Sequence, residues 1–238
     1  MPEKLSEKVA TGIPGLDGMI EGGFERNSII MVGGNAGSGK STFAIQFLVN
    51  GANEGENGLY LTFEEEKGNV FKHMLRFGWD LKALEDAKKL KVLEYPPTDI
   101  DKFISGGAVV ADIIEENNIK RIVVDSVTSL VLLQPNEYER REAFLKTMKM
   151  LRKWGCTTLL TTEARETVSG DLRARFGLEY LADGFIAIHT VRKRDVRDIA
   201  LEVVKMRGID HSRKMVPIKI TDKGITVYPN QAVFSEKF

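Results

Sequence analysis

Residues 28–42 read Ser28-Ile29-Ile30-Met31-Val32-Gly33-Gly34-Asn35-Ala36-Gly37-Ser38-Gly39-Lys40-Ser41-Thr42. The apolar run Ile29 to Val32 has the length and boundaries of a short buried strand. A glycine-rich turn follows, and the chain from Lys40 to about Asn53 reads as a helix. Gly34 to Ser41 satisfies the pattern G-x-x-x-x-G-K-[ST] in the setting it requires, a strand before and a helix after. Glycines let the backbone curl so that successive amides point at phosphate oxygens. The helix start adds its positive dipole end. Lys40 is a point charge for β- and γ-phosphates, and the Ser41 hydroxyl can ligate Mg²⁺. The segment Gly34, Asn35, Ala36, Gly37, Ser38, Gly39, Lys40, Ser41 and Thr42 is therefore the expected nucleotide cradle.

Outward from this loop, strands and helices alternate, which argues for a parallel sheet. Strands are expected at Gly58–Phe63, Leu90–Tyr95, Arg121–Asp125 and Cys156–Thr161. Helices are expected near Asn69–Phe77, from an Asp99 cap to about Asn117 with a weak point at Gly106-Gly107, and over Asn136–Trp154. The rhythm then changes. Gly184–His189 and Ile199–Val204 read as two arms of a hairpin around the polar run Arg192-Lys193-Arg194-Asp195. Short strands near Val216–Ile220 and Ile225–Tyr228 turn at Lys223-Gly224. The expected fold class is α/β: a mostly parallel central sheet flanked by helices, with a C-terminal antiparallel extension. Residues 1–10 read as a tail and 11–238 as one domain.

Composition narrows the function. The 238 residues are 42% hydrophobic and 29% charged, ordinary for a globular chain. Lys plus Arg equals Asp plus Glu at 34 each, so any basic surface for nucleic acid must be local. No apolar stretch approaches a membrane span, and the start lacks a signal peptide's apolar core. The lone Cys156 excludes an internal disulfide and a cysteine-rich zinc site, and it fits a reducing cytoplasm.

Two further features bear on chemistry. Asp125 ends the apolar run Ile122-Val123-Val124, at the strand end where ligands bind a parallel sheet. A carboxylate there can hold a water of the Mg²⁺ shell. Glu64, Glu65 and Glu66 follow the second strand directly. If the strand continues, alternation sends Glu64 and Glu65 to opposite faces. One could then orient or deprotonate a water attacking the γ-phosphate. Taken alone, the triplet reads as a solvated loop.

The ordered motifs Thr11-Gly12-Ile13-Pro14-Gly15-Leu16-Asp17, Gly22-Gly23-Phe24, the phosphate loop, Phe63-Glu64-Glu65, Phe77-Gly78-Trp79, Lys205-Met206-Arg207-Gly208, His211 and Ile220-Thr221-Asp222-Lys223-Gly224 resemble RecA-superfamily ATPases of the KaiC type. The likeness covers about Thr11 to Pro229 and corresponds to one KaiC-type domain, as in single-domain archaeal KaiC-like proteins. The clock protein itself carries two. The resemblance implies a RecA-like P-loop NTPase with Glu64 and Glu65 as a catalytic pair. It implies that Lys205, Met206 and Arg207 reach the ATP of a neighbouring subunit, and that His211, Thr221 and Asp222 contact nucleotide across the same interface. A ring follows, expected to be a homohexamer. On a strand, Lys205 and Arg207 face the same side. No Ser or Thr stands in Phe176-Gly177-Leu178-Glu179-Tyr180-Leu181, where the self-phosphorylating half of the clock protein carries both, so autokinase activity is not expected.

The expected activity is Mg²⁺-dependent ATP hydrolysis at subunit interfaces. Two alternatives stand beside it: a recombinase-like DNA-binding ATPase, and a low-turnover nucleotide switch. The intact glutamate pair argues against the switch. For DNA the candidate contact is the stretch 165–175, which carries Arg165, Arg173 and Arg175 with Phe176 beside it.

Overall fold

A computed structural model describes residues 7–96, 103, 107–166, 172–193 and 196–233. Its strands are β1 (Lys8–Val9), β2 (Phe24–Glu25), β3 (Ile29–Gly34), β4 (Asn57–Thr62), β5 (Leu90–Glu94), β6 (Ile119–Asp125), β7 (Thr157–Glu166), β8 (Leu172–Ala174), β9 (Gly184–Lys193), β10 (Val196–Met206), β11 (Val216–Thr221) and β12 (Gly224–Val227). The helices are α1 (Lys40–Asn53), α2 (Lys67–Met74), α3 (Leu81–Asp86), α4 (Gly107–Glu116), α5 (Val127–Leu132) and α6 (Glu137–Trp154). Among the described residues the main sheet runs β12-β11-β10-β9-β3-β7-β6-β4-β5. From β9 to β5 every neighbouring pair is parallel, and β9 to β12 are antiparallel. The fold is thus the α/β architecture expected, with its antiparallel extension.

Residues 29–34 are all buried because β3 lies between β7 and β9 with helices on both faces. One core layer joins α1 to the N-terminal segment and the C-terminal strands; Phe43, Phe47, Ile186, Leu201 and Ile225 belong to it. The opposite layer packs α4, α5 and α6 against the sheet through Val110, Leu130, Phe144 and Leu151. In that layer Phe63 stacks on Tyr95 at 5.7 Å and meets Phe103 edge-on at 5.0 Å. Phe63 is fully buried, so it anchors the start of the glutamate turn that follows it.

Several boundaries differ from the sequence expectation. β4 stops at Thr62, Glu64 and Glu65 lie in a bend and Glu66 is the N-cap of α2, so strand alternation does not sort Glu64 from Glu65. Thr62 causes the stop: its hydroxyl accepts from the Glu65 amide at 3.2 Å and donates to the Glu65 carbonyl at 2.8 Å, closing a turn. β7 continues to Glu166 because β8 pairs back on it. α5, capped by Ser126, and α3, capped by Asp80, are short helices that periodicity did not reveal. Lys8 and Val9, inside the stretch read as a tail, pair with Glu25 and Phe24. The Asp99 cap, Gly106, residues 167–171 and the Arg194-Asp195 turn fall outside the described residues. No helix among the described residues is long and apolar enough to cross a membrane.

Part of the motif set is scaffold. Asp17 Oδ1 accepts from the Thr11 amide at 3.0 Å and the Thr11 hydroxyl at 2.6 Å, closing the Thr11–Asp17 turn. Buried Gln46, on α1, donates to the carbonyls of Gly12 and Ile225 and accepts from the Ile225 amide at 2.7 Å. α1, the N-terminal turn and β12 are therefore locked together, and the phosphate loop is held at its helical end.

Candidate nucleotide-binding site

The loop between β3 and α1 opens at the C-terminal rim of the parallel strands. Gly37 and Gly39 hold φ of +74° and +96°, which L side chains rarely adopt. A Cβ on Gly39 would also sit 2.6 Å from Ile220 Cδ1 of β11. α1 has no side-chain cap and no acidic residue in its first turn. Its leading amides therefore keep their hydrogen-bonding capacity and positive end for an anion. Ser38 Oγ is buried without a hydrogen-bond partner, aimed across the space above Gly34, where a Cβ would collide with it. An orphaned hydroxyl in a ring of amides fits a phosphate acceptor.

Lys40 Nζ donates to the Asn35 carbonyl at 3.0 Å. Burial lowers its pKa, and the facing charges of Asp125, Glu163 and Glu64 partly offset that loss. The charges of Asp125 and Glu64 thus bear on Lys40, as does that of Glu163. Glu163 pairs with Gly34 in the β3–β7 register and holds an ion pair with Arg175. Sequence reading missed it because β7 was ended at Thr161. The signal was weak: Glu163 follows a strand rich in β-branched threonine, Thr157-Thr158-Leu159-Leu160-Thr161-Thr162, rather than an apolar run such as precedes Asp125.

Each carboxylate is oriented. Asp125 accepts from the Tyr60 hydroxyl at 2.6 Å and from Thr161. Burial, then the Asp125 charge, pushes Tyr60 well above its ordinary pKa, so it stays a donor. Glu64 accepts from the hydroxyls of Ser126 and, at 2.5 Å, Ser129 on α5. Glu65 turns to α2, where His73 Nδ1 lies at 2.6 Å. Of the pair, Glu64 is the one whose charge bears on Lys40.

No group of three or more His, Cys, Asp or Glu side chains among the described residues makes a ready metal cage. A hydroxyl and one carboxylate, as at Ser41 and Asp125, are a donor set that would suit Mg²⁺, which commonly takes one or two carboxylates and completes its shell with water and substrate phosphates.

Lys205 and Arg207 belong to a different cluster. A register shift between Val203 and Lys205 interrupts the β10 ladder, pairing resumes at Lys205 and Met206, and Arg207 lies just past the strand. Both cations still reach the same turn. Lys205 Nζ donates to the carbonyls of Tyr180 and Ala182 at 2.9 and 2.7 Å, and Arg207 to the Tyr180 carbonyl at 3.1 Å. Arg207 also lies 3.5 Å from Asp183. Burial, then the Arg207 charge, lowers the Lys205 pKa. No hydrogen bond or ion pair joins either cation to Lys40, Asp125, Glu64 or Glu163 among the described residues. Met206 is buried. His211 Nδ1 lies 3.2 Å from the Ser212 carbonyl. Thr221 and Asp222 directly follow Ile220, which packs on Gly39, so their turn borders the chain's own phosphate loop.

Asp183 organises the second cluster. It accepts from the Ile29 amide at 2.9 Å and pairs with Arg152 at 3.0 Å. Burial acts to raise its pKa, but these donors and the charges of Arg152 and Arg207 hold it below the ordinary carboxylate value. A depressed carboxylate stabilises the fold above its unfolded pKa, and the contribution is lost as pH falls through the folded value. Asp183→Asn is expected to cost about 2 kcal/mol at neutral pH. The gap to wild type should shrink below about pH 4 in denaturant titrations; a gap constant with pH would contradict this account.

A family profile described as the KaiC ATPase matches residues 9–232. A UPF0273 protein of Aeropyrum pernix is 34% identical, the match covering 96% of each chain. The circadian clock oscillator protein KaiC of Synechococcus elongatus is 35% identical over 93% of this chain and 44% of its own length. The crystal structure of a KaiC-like protein from Pyrococcus horikoshii superposes with a TM-score of 0.84 at 35% identity, covering 94% of this chain and all of that one. With the phosphate loop and the sheet that carries it, these matches show that the chain belongs to the KaiC family of RecA-type, ATP-binding ATPases.

Proposed function

We propose that the protein hydrolyses ATP at the interfaces of a ring of its own copies, most simply a homohexamer. The observation that carries this reading is the separation of charge. Lys40 and the carboxylates whose charge bears on it form one cluster, while Lys205 and Arg207 belong to another and, among the described residues, bind the Tyr180–Asp183 turn. A nucleotide seated on one chain's loop is completed by the basic pair of the next.

In this reading the loop amides, the Ser38 hydroxyl and Lys40 bind the phosphates. Ser41 and Asp125 would hold Mg²⁺, which when bound would neutralise phosphate charge. Glu64, fixed by Ser126 and Ser129, and Glu65 beside it orient a water in line with the γ-phosphorus. The water oxygen bonds to phosphorus as the bridge to the β-phosphate breaks. The water's proton passes to a glutamate, and ADP and phosphate leave. The Thr221–Asp222 turn flanks the nucleotide of its own chain. Lys205 and Arg207 of the neighbour act in trans, as an arginine finger does.

The test mixes two inactive variants. Lys40→Ala lacks its own nucleotide site, and Arg207→Ala keeps it but gives its neighbour no finger. Each alone should be nearly inactive. Mixed rings, after subunit exchange is verified by mass, should regain activity along a bell-shaped curve of mixing ratio. At some interfaces an intact loop then meets an intact Arg207. A flat baseline with exchange verified would remove Arg207 from its neighbour's site and end the interfacial reading.

A further inference from the structure

A second polar cavity, of about 510 Å³, lies between the start of α6 and the β7–β8 hairpin. Four guanidiniums line it from three elements: Arg140 and Arg141 on α6, Arg165 on β7, and Arg175 just past β8. Glu137 is the one carboxylate in the lining. Arg175 is paired to Glu163. Arg141 and Arg165 have no ion pair among the described residues, and Arg140 spends one nitrogen on the Gln134 carbonyl at 3.0 Å. Phe176 gathers two of the cations, with Arg140 and Arg175 at 5.7 and 5.9 Å from its ring centre.

Crowding like charges around a concave space is costly without a counter-charge. Guanidinium forks pair with anionic oxygens two at a time, and four of them around one space suit a multiply charged phosphate group better than a single carboxylate. Phe176 is already engaged by two cations rather than presented to stack a base, which favours a compact anion over a nucleic-acid strand. We propose that this cavity binds a small ligand bearing a phosphomonoester or pyrophosphate group, at a site distinct from the nucleotide on the Lys40 loop.

The test is calorimetric titration of inorganic tripolyphosphate into the full chain saturated with ADP, so that the phosphate loop is filled. About one equivalent per chain should bind. Arg140→Gln combined with Arg141→Gln should weaken it by more than about tenfold, with ADP affinity and the melting transition unchanged. Arg165→Gln repeats the test from the opposite wall, should the double variant not fold. No uptake beyond ADP, or uptake indifferent to both sets of changes, would overturn the proposal. A thymidine oligonucleotide forms the second arm. Its binding through these arginines without any tripolyphosphate uptake would assign the face to single strands and overturn the compact-ligand reading.

Discussion

Lys40→Ala is expected to weaken ATP binding by about a hundredfold or more and to abolish turnover. The size follows from what surrounds Lys40. From Gly34 to Thr42 the loop has no other cation. Lys40 is also the counter-charge to Asp125, Glu163 and Glu64. Without it, the triphosphate would approach three carboxylates across a partly desolvated gap. The loop amides and the α1 terminus would remain, but partial charges offset only part of that repulsion. Lys40→Arg is an informative companion. It restores the charge as a planar fork on a longer stem, so affinity should recover only in part. Equilibrium titration with a fluorescent ATP analogue reads both variants. Wild-type affinity in Lys40→Ala would mean that the loop does not cradle phosphate.

The core of the fold was legible because it is written in continuous runs. Ile29–Val32 and Ile122–Val124 are apolar runs buried on both faces, and such strands need no partner to be recognised. The elements that escaped depend on tertiary pairing. β8 is three residues long and exists because it hydrogen-bonds to β7. α5 is six residues, set by its Ser126 cap and its packing beneath α6. Neither is long enough for a period to emerge.

The site divides in the same way. The phosphate loop is local, so one stretch of sequence states its chemistry. Glu163 is a neighbour of the phosphate loop through the β3–β7 register, which places it beside Gly34. The Thr221–Asp222 turn follows Ile220, which lies beside the chain's own Gly39, a neighbourhood that only the packing of β11 on the loop supplies. Thr11, Asp17 and Gln46 show the converse. They stand in or against motifs that a reader would credit with chemistry, and their hydrogen bonds serve to clamp α1. A motif marks a constrained position; the partner atoms decide whether the constraint is structural or catalytic.

Glu64→Gln together with Glu65→Gln is expected to leave ATP bound while kcat falls by about a hundredfold or more. Neither glutamate is needed to hold phosphate, since both are anionic and stand beyond Lys40. Their removal relieves charge repulsion, so ATP affinity should hold or rise slightly. The loss falls on the transition state, where water must be aligned and its proton accepted. A neutral amide can still take a hydrogen bond from Ser126 and Ser129, so the turn should keep its shape. Single substitutions then separate the pair. Glu64 is fixed by two hydroxyls and its charge bears on Lys40, whereas Glu65 is engaged with His73 on α2. Phe63, buried against Tyr95 and Phe103, holds the bend in every variant. Single-turnover hydrolysis and ATP binding, measured on the same preparations, distinguish chemistry from affinity. Wild-type turnover in the double variant would return both glutamates to the solvated surface that their bare sequence suggests. A fall in affinity with kcat preserved would instead recast them as binding groups and require another residue to activate the water; Glu163, already beside Gly34, is the next candidate on the rim.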